Sequence, residues 1–199
     1  MQLTRPLVLA SHSPRRRQLL NELGFSFRTE VRPTEETFPE SLPVAEVPSF
    51  LARQKADRFR PDLADRLVLC ADTIVVVDDR ILNKPADAVE AADMLRRLSG
   101  RAHQVMTGVC LLSAEATESF TDTAEVVFKP LDAEEIRYYI DQYRPFDKAG
   151  AYGVQEWIGM IGIERIEGSF YTIMGLPVHR VYEALRRYAL PAAGPALRS

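Results

Sequence analysis

Few residues are available for metal–thiolate or redox chemistry. The 199-residue chain holds two cysteines and three histidines, and neither set has zinc-type spacing. Cys70 and Cys110 each lie inside an apolar run of strand character, which points to buried structural thiols rather than a disulfide or redox pair. Long apolar runs are also missing. The opening MQLTRPLVLA carries only a four-residue apolar stretch, and no run of about 18 apolar residues occurs. The chain therefore reads as soluble and cytoplasmic, with no membrane partner. Positive charge is not in surplus either: 25 Lys and Arg face 28 Asp and Glu, a net charge of −3. That excludes global attraction to nucleic acid and leaves any anion binding to a local cluster. No G-x-x-x-x-G-K-[ST] or G-x-G-x-x-G pattern appears, so phosphate cradles of those two kinds are excluded.

What is present is an alternation of helical and strand patterns without a linker, which predicts one α/β domain around a mixed sheet over residues 1–189 and a mobile tail over 190–199. Leu7 to Ala10 reads as a short buried strand. Ser13 then serves as N-cap, Pro14 takes the first helical position and Gly24 closes the helix. A second helix is predicted from about Pro48 to Phe59. RLVLCADTIVVVDDRIL comes next as a β-rich run that turns into a hairpin at Asp78 and Asp79. Asp87 with Glu90, and Asp132 with Glu135, are capping-box patterns opening two further helices, with strands near 103–113 and 119–129 between them. GMIGIERIEGSFYTIMG reads as a hairpin turning at Glu167 and Gly168, and Pro177 starts the last helix.

Three stretches carry chemistry. In LASHSPRRRQLL the buried stripe is Leu19, Leu20 and Leu23, which puts Arg16 on its midline, Arg15 on its flank and Arg17 outward. Two guanidiniums thus meet the hydroxyls of Ser11 and Ser13 at a helix N-terminus, a corner suited to phosphate; surface pairing with local carboxylates is the plainer alternative. In LVLCADTIVVV, Asp72 falls mid-strand among apolar residues. A lone buried carboxylate needs compensation, so Asp72 is a structural cap, a metal ligand or a general base. Lys55 lies beside its helix's buried stripe, where snorkelling is the ordinary explanation, and Lys84 projects from a strand end before Pro85. Glu35 and Glu36 sit in a Pro-flanked loop and by default are solvated. In PFDKAGAYGVQEW, Gly150, Ala151 and Gly153 keep the backbone bare, while Asp147, Lys148, Tyr152 and Gln155 supply charge, a ring for stacking and an amide.

Taken together, LASHSPRRRQLL, LARQKA, CADTIVV, NKPADAVEAADMLRRLSGRAHQVMTGV, DKAGAYGVQ and IMGLP resemble the Maf proteins, nucleoside triphosphate pyrophosphatases related in fold to the inosine triphosphate pyrophosphatases. The resemblance runs from about residue 7 to residue 185. It implies an elongated mixed sheet flanked by helices, a substrate-binding turn at SPRR including Ser13 and Arg16, and a proton acceptor at Asp72. It further implies that Lys55 and Lys84 face the triphosphate and that a divalent cation, Mg²⁺ or Mn²⁺, is held by an acidic loop residue, Glu36 in preference to Glu35, together with Asp72. A homodimer is implied as well. At three discriminating positions, Arg15, Thr73 and Gln155, the chain is similar to the branch that hydrolyses dTTP and UTP; the 7-methyl-GTP branch has Trp, Gln and Glu there. An amide both donates and accepts, which suits the O4/N3–H edge of uracil and thymine. Two departures stand out: Asn83 where Gly or Glu is usual, and Glu156 where Gly is common.

The expectation is therefore a metal-dependent pyrophosphatase that removes unwanted dTTP and UTP. The alternatives are the 7-methyl-GTP branch and a non-catalytic, nucleotide-sensing regulator of cell division or septum formation. Asp72 retains two competing assignments, because a carboxylate bound directly to a metal is a poorer base.

Overall fold

The structure is a computed structural model and is described over residues 1–190; the remainder of the tail predicted from the sequence lies outside the described residues. Its centre is a seven-stranded mixed sheet of β1 (Leu7–Leu9), β2 (Phe27–Thr29), β3 (Leu67–Val77), β4 (Arg80–Leu82), β5 (Ala102–Leu112), β6 (Thr117–Phe128) and β7 (Ile163–Glu167), in the order β2-β1-β3-β5-β6-β7 with β4 on β3. The pairs β2–β1 and β1–β3 are parallel and the others antiparallel.

Two-residue alternation along β3 sends Leu67, Leu69, Ala71, Val75 and Val77 to one face. There they pack with α1 (Pro14–Glu22), α3 (Ala88–Leu98), α4 (Ala133–Tyr143) and α7 (Val178–Arg186). Val68, Cys70, Ile74 and Val76 go to the other, beneath α2 (Val47–Asp57). Cys70 and Cys110 are directly paired in register there, free and fully buried. Burial pushes the Cys110 thiol up to about 12, as befits an inert core group. Among the described residues no helix is long and apolar enough to cross a membrane.

Local signals produce most of these boundaries. The Ser13 side chain accepts from Arg16 N, with Pro14 opening α1. Asp132 and Glu135 form a complete reciprocal box at α4. At α3, Asp87 accepts from Glu90 N as predicted, but the Glu90 carboxylate reaches the Ala86 amide instead of closing the box on Asp87. Asp78 and Asp79 both have left-handed φ, the geometry of a tight hairpin turn.

One prediction fails. Residues after Gly168 do not return as a strand: Ile163–Glu167 pairs with β6, whereas Phe170–Met174 is a short helix, α6, and Trp157–Gly162 forms another, α5. The segment SFYTIM is β-branched and aromatic enough to read as a strand, but α6 packs against the middle of β5 and β6, where the Thr172 carbonyl takes a side-chain hydrogen bond from Thr107 and the Thr172 hydroxyl donates to Asp122. Tertiary placement overrides propensity here.

Two features of the sheet position the pocket beside β3. β1 pairs with β3 only through Leu69 and β4 joins β3 only from Val75, so residues 70–74 of β3 have no strand on that edge. On the α2 face, Gly108 of β5 is the register partner of Asp72. A Cβ built at Gly108 would lie 2.0 Å from the Pro48 carbonyl carbon and 2.1 Å from Ser49 N. α2 therefore rests on bare backbone beside Asp72. Gly108→Ala is expected to push α2 off the sheet and cost about 3 kcal/mol, measured by denaturant unfolding; near-native stability would show that α2 is not seated by this contact.

Candidate active site

The unpaired edge of β3 opens onto a cavity of about 350 Å³, a crevice at the carboxyl end of β1 of the kind that receives ligands in α/β sheets. Ser13, Arg15, Arg16, Glu36, Lys55, Asp72, Thr73, Lys84 and Gln155, each singled out in the sequence, all line it. Glu35 does not. A second hollow of about 540 Å³ adjoins it through Ser13, Arg15, Arg16, Glu36, Lys55, Lys84 and Asp147, and continues toward Ser11, His12 and Thr34. Arg15, Arg16, Glu36, Lys55, Lys84 and Asp147 therefore form the wall common to both hollows, while Asp72, Thr73, Lys148 and Gln155 belong to the first alone.

On the α2 face, the Lys55 ammonium sits 2.5 Å from Asp72 Oδ1 and 2.8 Å from Glu36 Oε1. Lys55 and Asp72 have side-chain exposures of 18% and 13%, so neither charge could stand there alone. Glu36 is half-exposed. Burial acts to raise its carboxyl pKa, yet the hydrogen bond from Lys55 and the charges of Lys55, Lys84 and Arg16 outweigh that and hold it below the usual value. Among the described residues Lys84 forms no ion pair, and no third His, Cys, Asp or Glu completes a metal cluster.

On the opposite face, Arg16 donates from Nε to the Gly175 carbonyl at 2.8 Å, from Nη1 to the Ala71 carbonyl at 2.7 Å and from Nη2 to Thr73 Oγ1 at 3.0 Å. It thereby satisfies one carbonyl on the open edge of β3, and two of its five N–H groups are left over. Thr107 Oγ1 gives its proton to the Thr172 carbonyl at 2.8 Å. The 2.8 Å contact between Thr73 and Thr107 must then be a donation by Thr73. The Thr73 hydroxyl is thus fixed as an acceptor toward anything in the cavity, a consequence that no local sequence signal reveals.

Arg15 reaches across the cavity mouth to Asp147 Oδ2 at 2.9 Å. Burial works to raise the Asp147 carboxyl, but hydrogen bonds from Lys148 and Arg15 prevail and keep its pKa low. Gln155 is exposed at the rim. Tyr152, read from the sequence as a ring for stacking, lines the cavity but is 5% exposed. Its ring is wedged edge-on against Phe128 and His103, and its hydroxyl lies 2.7 Å from His103 Nε2. It is a fixed wall rather than an open platform. The Asn83 carbonyl receives the Gly150 amide at 3.1 Å. The main chain makes that bond, so it places no demand on the side chain at position 83.

No local pattern singles out His103, Thr107, Gly175, or Asp147 as a partner of Arg15. His103 is a test of the buried wall: burial pushes its pKa down from 6.5 to about 4. The unfolded chain binds that proton first as pH falls. Stability is therefore full above about 6.5, declines on acidification and levels off below about 4, a total on the order of 3 kcal/mol. His103→Gln is expected to flatten this segment in denaturant melts at pH 7.5, 5.5 and 4; an unchanged slope would assign the acid loss elsewhere.

A family model described as "Maf-like protein" matches residues 6–188. Proteins named dTTP/UTP pyrophosphatase are similar to the chain. The one from Cytophaga hutchinsonii is 48% identical, covering 93% of this chain and 85% of its own. That from Bacteroides thetaiotaomicron is 49% identical, covering 91% and 95%, and that from Porphyromonas gingivalis is 50% identical, covering 92% and 94%. A solved structure, that of the Staphylococcus aureus Ham1 protein, aligns with a TM-score of 0.48 at 14% identity over 62% of this chain and 72% of its own.

Proposed function

The chain belongs to the Maf family, and from that footing we propose that it is a nucleoside triphosphate pyrophosphatase that cleaves dTTP and UTP between the α- and β-phosphates, giving the monophosphate and pyrophosphate. The carrying observation is the pairing of Asp72 with Lys55 inside a cavity that also presents Arg15, Arg16 and Lys84. A desolvated acid thus faces cations across one crevice, which is what hydrolysis of a polyphosphate requires.

In this reading Arg15, Lys84 and the spare N–H groups of Arg16 receive the phosphates at the N-terminal end of α1, where the helix also favours an anion. Lys55 exchanges part of its carboxylate pairing for phosphate oxygens and offsets charge on the departing pyrophosphate. Asp72, oriented by Lys55, takes the proton of the attacking water. Gln155 offers donor and acceptor to the pyrimidine edge, while Arg15 and Thr73 shape the same compartment.

The residues fit a divalent ion. Glu36 and Asp72 converge on one point now held by an ammonium, and Mg²⁺ is commonly bound by one or two carboxylates plus substrate phosphates. Glu36, the more exposed of the two, is assigned to hold Mg²⁺ or Mn²⁺, with Asp72 beside it. When bound, the ion would neutralise the polyphosphate and polarise the phosphorus under attack. Action in the cytoplasm as a homodimer, removing unwanted nucleotides, belongs to the same proposal.

Pyrophosphate release from a panel of nucleoside triphosphates, with Mg²⁺, Mn²⁺ or EDTA, tests it. Release from dTTP and UTP that EDTA abolishes is the expected result. Preference for 7-methyl-GTP, or binding without release, would replace the reading with the sister branch or with a nucleotide sensor. Asp72→Asn keeps the shape of the side chain and is expected to lower turnover by about 10²-fold or more with nucleotide binding retained; near-normal turnover would remove Asp72 from the mechanism.

A further inference from the structure

The segment from Lys148 to Glu156 is built around one carboxylate that the functional reading does not use. Glu156 precedes α5, and its side chain is 18% exposed. Its Oε2 accepts from the Tyr139 hydroxyl, which in turn accepts the Gly153 amide at 3.0 Å. Its Oε1 lies 3.1 Å from the Lys148 ammonium. The backbone closes the same turn, with Glu156 N donating to the Gly153 carbonyl at 3.0 Å. A Cβ at Gly153 would lie 2.8 Å from Glu156 Cδ, so the carboxylate is seated directly on bare main chain.

The anchors on either side differ in what they transmit. Tyr139 is fully buried in α4 and ties Glu156 to the core. Its burial, together with the bond to Glu156, pushes the phenol pKa well up, so the hydroxyl remains a donor. Lys148 is 7% exposed and divides its ammonium between Glu156 and Asp147 Oδ1, the latter at 2.7 Å. The other oxygen of Asp147 is the one held by Arg15. An unbroken line of charge-assisted contacts therefore runs Tyr139, Glu156, Lys148, Asp147, Arg15, from the core beneath Gln155 to the phosphate corner across the cavity mouth.

We propose that Glu156 is a positioning residue for substrate selection: it sets the conformation of residues 148–156, which present Gln155, and through Lys148 and Asp147 it fixes Arg15 on the opposite side of the cavity. This rests on the reading of Arg15 and Gln155 as discriminating residues. Its physical basis is charge balance at Lys148. In Glu156→Gln the amide keeps an acceptor for Tyr139 but turns its NH₂ toward the ammonium, so Lys148 leans on Asp147 and loosens Arg15. In Tyr139→Phe the Lys148 pairing stays while the tie to the core is lost.

Both variants are to be compared with the parent protein in steady-state kinetics on dTTP, UTP, ATP and GTP, and in hydrogen exchange of residues 148–156 without nucleotide. For Glu156→Gln, KM for dTTP and UTP is expected to rise about tenfold with kcat changed far less, narrowing the pyrimidine-over-purine ratio of kcat/KM. Exchange across 148–156 should accelerate. Tyr139→Phe should speed exchange while narrowing the ratio less. An unchanged ratio with unchanged exchange would overturn the proposal, as would an equal loss on all four nucleotides with a matching fall in global stability. If the parent hydrolyses none of the four, the functional reading fails, and the nucleotide-free exchange still decides whether Glu156 orders the segment.

Discussion

The Lys55 ammonium between Glu36 and Asp72 is the contact on which the site depends. Two carboxylates brought this close in a partly dry crevice repel one another and lose hydration, and a single cation between them offsets both effects. Several parts of the fold serve that placement. Gly108 lets α2 lie on the sheet one strand from Asp72. Lys55 is in the last turn of α2, so seating the helix determines where the ammonium ends. The loop before α2 then needs only to bring one acidic residue inward, which Glu36 does and Glu35 does not.

Arg16 plays a comparable part at the other face. Most guanidiniums at a helix N-terminus would be available to a ligand, but this one commits three donors to the protein: two to backbone carbonyls, including that of Ala71 on the open edge of β3, and one to Thr73. Without it the Ala71 carbonyl on that edge would lose its partner. The same contact orients a threonine hydroxyl, so fold maintenance and ligand presentation meet in one side chain.

Much of this was legible in the sequence for physical reasons. Helical spacing placed Arg16 toward the core and Arg17 outward, and an acid inside a run of valines signalled a compensated charge at Asp72. Capping residues marked α1 and α4 because their bonds are local. What stayed hidden was long-range. No periodicity announces that Asp147 meets Arg15, 132 positions away, or that Thr73 and Thr107 share a proton across a register. The helix α6 is hidden for the same reason, since its form is set by the middle of β5 and β6 beneath it rather than by its own residues. Gly108, one small residue in a strand, carries no local hint that a helix rests on it.

The alternation of side chains along β3 has an evolutionary corollary. Asp72 points toward α2, with Lys55 and Glu36, whereas Thr73 points toward the layer that also contains Arg16 and the core beneath Gln155. In the proposed reading, the residues assigned to bond breaking and those assigned to nucleotide selection are thereby placed on two sides of one strand. Under that reading a lineage could exchange residues in one layer, acquiring taste for a different base, while the layer of Asp72, Lys55 and Glu36 is inherited intact; a shift of β3 by one residue would scramble both at once.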